Sequence, residues 1–158
     1  MDPTFFHLNA SEVPFWEDDG VSYKLIAGEA LGRKSPVPVY SDLYPIEIKA
    51  FRKATIPIGS HLFGESGLYI LEGQVSSEGH IFAPKQLLVA REASLCTFEM
   101  EAGTTIYLFG GTPFPEERFI HWNFVSSERS LIEEARQRWQ DRQFPKVPGE
   151  IDFVPLPQ

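Results

Sequence analysis

The side chains best equipped for chemistry are four histidines, His7, His61, His80 and His121, together with the acidic residues around them. His61 stands in GSHLFGESGLYILEGQV, residues 59–75, four positions before Glu65, and imidazole with carboxylate is a donor set for a divalent transition metal. Such an ion takes three or four protein donors at about 2.0–2.3 Å. A cage of His61, Glu65, His80 and His121 supplies enough donors for iron or another divalent transition metal, but their spacing follows no metal-binding pattern. The same stretch has a second use. If strand alternation runs through it, Ser66, Leu68, Ile70 and Glu72 share a face. Glu72 then becomes a polar handle in an otherwise apolar ligand cavity, for which His61, Ser66 and Glu72 are the candidates, while Tyr69 and Leu71 face outward.

Other nucleophiles read as packing. Cys96, in SLCTFEM, shares a strand face with Phe98 and Met100, and apolar neighbours disfavour the thiolate. No G-x-S-x-G elbow occurs, and the glycine loops GEALGRK and FGESG lack the spacing and lysine of a phosphate-binding loop. Glu116 and Glu117 fall in the proline-bounded TPFPEERF, where solvation accounts for them. No catalytic residue is assigned.

These residues are carried by strands. VSYKLIAGEA, YPIEIKAF, LYILEGQV, KQLLVA, ASLCTFEM and TTIYLFGG are short, rich in β-branched and aromatic residues, and separated by turn formers, a spacing that predicts a barrel or sandwich. Residues 1–20 read as an N-terminal arm. One helix is predicted over 126–143, with Ser126 or Ser127 as its cap and Leu131, Ile132, Ala135 and Trp139 as its apolar stripe. After it, the proline-rich 144–158 predicts an extended tail, docked through Phe153, Val154 and Leu156.

Composition limits the partners. With 158 residues, 42% hydrophobic, the chain is sized for one domain, and its formal charge of -8 repels phosphate backbones and anionic lipid, so neither nucleic acid nor membrane is expected. No apolar run reaches the roughly 20 residues of a membrane span. The acidic opening MDPTFFHLNASEVPFWEDD is unlike a secretory leader, and a single cysteine precludes an internal disulfide; a cytoplasmic location is the expectation.

The motif around His61 resembles the first motif of cupins, small β-barrels. Aligned on Gly73, the pattern sets Gly59 and His61 at its two histidines and Ser66 at its glutamate. The second cupin motif fits EAGTTI, with Gly103 matching, Glu101 in place of a proline and Ile106 in place of a histidine. More extensively, YKLIAGEALGRKSPV, LYILEGQV, YLFGG and WNFVSSERSLIEEARQRWQDRQFPKVPGEIDFVPLP resemble the C-terminal domain of pirins, which are two-domain cupins. The resemblance implies an all-β cupin barrel (a jelly roll, or double-stranded β-helix) with one C-terminal α-helix, from Val21 to Pro157. It also implies that iron binding, and the quercetin dioxygenase activity of some pirins, belong to an N-terminal domain outside these residues.

The expected function is therefore a metal-free pirin-like domain with no cofactor, binding a small apolar ligand or a protein partner. One alternative is a metal-dependent, quercetinase-like dioxygenase using His61. Another is a structural subunit pairing with a separate metal-bearing cupin protein. Because LYILEGQV is apolar on both faces, its outer face needs cover, and a homodimer is the expected solution.

Overall fold

The computed structural model describes residues 5–90, 97–146 and 148–157, so Cys96 lies outside the described residues. The chain divides into two compact units, Met1–Pro113 and Phe114–Gln158.

In the first unit, alternating sequence makes two-faced strands. LYPIEIKA, strand β5 (Leu43–Ala50), alternates strictly, burying Tyr44, Ile46, Ile48 and Ala50 and leaving Leu43, Pro45, Glu47 and Lys49 half-buried on the other face. It sits inside an antiparallel sheet with β1 (Phe15–Asp18), β2 (Val21–Leu25), β7 (Glu65–Glu72), β10 (Leu87–Ala90) and β12 (Thr104–Gly111), in the order β1-β2-β5-β12-β7-β10. A second sheet has the order β6-β11-β8-β9, with β6 (Ala54–Ile56), β8 (Val75–Ser77), β9 (His80–Phe82) and β11 (Phe98–Met100). The short hairpin β3 (Glu29–Ala30) with β4 (Arg33–Lys34) stands apart. Ile46, Ile48, Ile70, Ile106 and Leu108 from one sheet meet Ile56, Val75, Phe98 and Met100 from the other in one core, which makes this an all-β sandwich of the jelly-roll kind. Within the segment read as an N-terminal arm, Phe15–Asp18 form β1, held by Trp16 lying flat on Tyr23 at 5.2 Å.

The end of β12 explains its glycines. A Cβ on Gly110 would run into the Glu65 carbonyl and the Tyr44 ring, and one on Gly111 into the Asp42 carbonyl. Tyr44 also donates its hydroxyl to the Phe63 carbonyl at 3.1 Å. Three chain segments thus cross where only hydrogen fits.

The second unit pairs β13 (Phe119–His121) with β14 (Phe124–Ser126) and packs helix α1 (Arg129–Gln140) on the hairpin. Ser126 does not cap the helix with its side chain; its hydroxyl accepts the Glu128 N–H at 3.1 Å. Of the expected stripe, Ile132 is buried, whereas Leu131 is 48% exposed. Trp139 gathers the tail: its indole N–H donates to the Val154 carbonyl at 2.8 Å and its ring stacks on Phe153 at 5.5 Å. No helix among the described residues is long and apolar enough to cross a membrane.

On the outer face of the larger sheet, Glu47 accepts hydrogen bonds from Tyr107 (3.0 Å) and Lys49 (3.1 Å). Burial pushes its carboxyl up, but the bonds from Lys49 and Tyr107 and the charges of Lys49 and Lys24 outweigh burial and hold it below the usual carboxylate range.

Two outcomes follow from this packing. Gly110→Ala should cost about 1–3 kcal/mol in chemical denaturation, since neither the backbone carbonyl nor the Tyr44 ring can yield at a packed crossing. Glu47 has a folded-state pKa below its unfolded value, so its contribution is complete above the unfolded value and is lost as pH falls through the folded one. The stability gap between wild type and Glu47→Gln should accordingly narrow between about pH 6 and pH 3, and a gap that does not change would show the network contributes nothing.

Candidate functional site

The strands separate the residues that the sequence suggested as one cavity. His61 ends a short 3-10 turn, Gly59–His61, its N–H donating to the Ile58 carbonyl at 3.0 Å. The turn is held from behind by Tyr44, whose ring meets Phe63 edge-on at 5.0 Å. The imidazole is exposed. It borders two clefts, an open groove of about 1160 Å³ that includes Leu31, Val37 and Phe63, and a smaller one of about 240 Å³ that includes Trp16, Asp18 and Tyr23. The Arg33 guanidinium lies 4.5 Å over the ring of Trp16, and burial, with the Asp18 charge, raises the Tyr23 phenol above its ordinary pKa. The stacked Trp16 and Tyr23 rings form a wall of the smaller cleft, and the phenol keeps its proton.

Ser66 opens elsewhere. It is 4% exposed on the inner face of β7 and borders a cavity of about 530 Å³ between the two sheets. Among the described residues, Leu68 and Leu108 line it from the larger sheet and Val75, Phe82 and Phe98 from the smaller. That volume suits a small ligand, and a mostly apolar wall with a few polar groups is the usual make-up of such a site.

Glu72 lines none of these three spaces. In the β7–β12 ladder Ile70 pairs with Ile106 but Glu72 pairs with Thr105, so Leu71 is an extra residue on β7. The bulge ends the alternation that would have carried Glu72 inward, and its side chain is exposed. Tyr69 and Leu71 are on the outside, half-buried and 40% exposed.

The donors for a metal do not come together. Glu65 is exposed at the start of β7, His80 is exposed on β9, and His121 belongs to the second unit. Among the described residues, no three histidine, cysteine or acidic side chains gather. Ile106, in the position of the cupin histidine, is fully buried between Ile48 and Ile70. These residues do not fit a divalent transition metal, whose ligands are imidazole, thiolate and carboxylate.

Two features escaped the sequence reading. Trp16 and Tyr23 meet only once β1 and β2 pair, which no local pattern announces. Glu78, which also lines the cavity beside Ser66, sits in the turn between β8 and β9, and nothing in VSSEGHIF announces the cavity.

Comparison with known proteins places this geometry. Residues 43–145 match the model of the pirin C-terminal cupin domain. A pirin-like protein of Caulobacter vibrioides is 37% identical over all of this chain, which covers 55% of that relative. A crystal structure of quercetin 2,3-dioxygenase from Acinetobacter baumannii superposes with a TM-score of 0.83 at 28% identity, over all of this chain and 54% of the other. A second crystal structure of quercetin 2,3-dioxygenase from that organism has a TM-score of 0.71 at 23% identity, over 87% of this chain and 49% of the other, and shows the fold alone. The chain spans about half the length of the curated relatives it matches. A family model that covers most of the chain, and a relative 37% identical from end to end, establish that this protein belongs to the pirin family of cupins.

Proposed function

We propose that this chain is a pirin-type binding domain that takes a small, mostly apolar molecule between its two sheets, with no resident metal. The observation that carries the reading is the cavity of about 530 Å³ beside Ser66, walled by Leu68, Val75, Phe82, Phe98 and Leu108. Burial of a ligand's apolar surface supplies the affinity, at roughly 25 cal/mol per Å², and Ser66 supplies a hydroxyl for orientation.

A second reading is a dioxygenase of the kind named for the Acinetobacter protein, supported by the TM-score of 0.83. Against it stands the scatter of His61, Glu65, His80 and His121, since a Lewis acid acts only where donors hold it.

The reading includes a partner, a second copy of the chain. Leu87, Val89, Phe109 and Leu71, all at least 40% exposed, lie on β10, β12 and β7, adjacent strands of the larger sheet. The β10–β7–β12 register sets Val89 and Phe109 on either side of Gly67. This uncharged strip is where two copies of a chain of charge -8 can meet without like-charge repulsion.

Two measurements check these points. Titration with the neutral fluorophore N-phenyl-1-naphthylamine should saturate at one site, and Ala90→Trp, which enlarges a lining side chain, should weaken binding about tenfold with little change in melting temperature. No saturable binding to the wild type would remove the ligand reading. Light scattering at micromolar concentration should give a dimer that Val89→Lys converts to monomer; a monomeric wild type would remove the pairing.

A further inference from the structure

We infer that the aromatic end of α1 is a docking site for an extended segment of a partner protein, an aromatic residue followed by an aliphatic one and a proline. The tail of this chain is its resident occupant, which such a segment displaces. This goes beyond the ligand reading and does not rest on the cavity beside Ser66. The platform is built without the tail. Trp139, near the end of α1, meets Trp122 of the β13–β14 turn at 5.0 Å and Phe124 of β14 at 6.3 Å. Phe144 closes on Phe124 at 5.9 Å and on Trp139 at 5.7 Å. These rings brace one another and keep their places whether or not a further ring is laid on them.

What lies on them is held by few contacts. Phe153 stacks on Trp139 at 5.5 Å, and the Arg142 guanidinium stands 4.6 Å over the Phe153 ring. One hydrogen bond, 2.8 Å from the Trp139 indole N–H to the Val154 carbonyl, fixes the course of the segment. Among the described residues no backbone hydrogen bond joins residues 150–157 to the rest of the chain, and the N–H groups of Ile151 and Asp152 donate to the Glu150 carboxylate beside them. Ile151 is 95% and Val154 61% exposed, so the segment adds little beyond one ring to the core of its own unit. A segment anchored in this way opens at far lower cost than a paired strand.

The contacts also define what the surface reads. A stacked ring with an indole N–H offered to a nearby carbonyl is the chemistry by which aromatic grooves hold extended, proline-rich peptides. Val154 and Leu156 each precede a proline, which keeps them extended and reduces the order lost on docking. The Phe153 ring and the Val154 carbonyl are adjacent in sequence, so a short segment from another protein presents the same two groups.

The test is fluorescence anisotropy of a fluorescein-labelled peptide of residues 149–157, GEIDFVPLP, titrated with the full chain. Wild type, whose platform is filled by its own tail, should need at least about tenfold more protein for half-saturation than Phe153→Ala, whose tail is released. Adding Trp139→Phe to Phe153→Ala, which keeps a ring and loses the donor, should weaken binding about fivefold. The same peptide carrying Phe153→Ala should not bind. No binding to a Phe153→Ala chain that melts like the wild type would overturn the inference, as would equal affinity of the two chains. A Phe153→Ala chain that no longer folds would make the tail part of the core and overturn it as well. A dimer that survives Val89→Lys but is lost in Phe153→Ala would make the occupant the tail of a second copy and overturn the partner assignment.

Discussion

Three isoleucines fill the middle of the larger sheet. Ile48, Ile106 and Ile70 are neighbours across β5, β12 and β7, each fully buried, and Met100 and Val75 of the facing sheet share their core. Each large aliphatic side chain contributes about 1.5–3 kcal/mol by burial, and none carries a group that would have to be desolvated and paired. Where the cupin pattern sets a ligand histidine, this chain has the central one of the three. The three isoleucines stabilise the sandwich and offer no ligand for a metal, and a cavity lies beside Ser66.

The polar side chains follow from that arrangement. His61 is carried out of the barrel by a 3-10 turn braced by Tyr44 and Phe63, and it faces clefts walled partly by Trp16 and Tyr23. Glu72 is turned away by the bulge at Leu71. Glu47 and Tyr107 bond to each other on the outer face, where their charge and hydroxyl cost nothing to the core. His61, Glu72, Glu47 and Tyr107 thereby stand outside the packed interior of the sandwich.

Much of the fold was legible because it rests on short-range rules. The alternation of YPIEIKAF and TTIYLFGG marks two central strands, and the apolar positions of LIEEARQRW mark the helix. The resemblance to pirins, read from LYILEGQV and the long terminal block, matches the family found by comparison. The site was less legible. Ser66 lies beside an apolar cavity, but its grouping with Glu72 assumed unbroken alternation from Ser66 to Glu72, and its grouping with His61 rested on nearness in sequence. One extra residue at Leu71 broke the alternation, a signal that depends on pairing with β12, and a 3-10 turn carries His61 apart. Trp16 and Tyr23, seven residues apart, meet through the β1–β2 register, and Leu131 is exposed although it falls on the helical stripe.

The proposal that this barrel binds a ligand without a resident metal is tested by elemental analysis of the purified, untagged chain. Protein prepared without chelator, and again after anaerobic incubation with ferrous iron and desalting, should carry far less than one metal per chain and give the same melting temperature in both states. Near-stoichiometric metal that is lost in His61→Ala would contradict the account and make the scattered donors a real site.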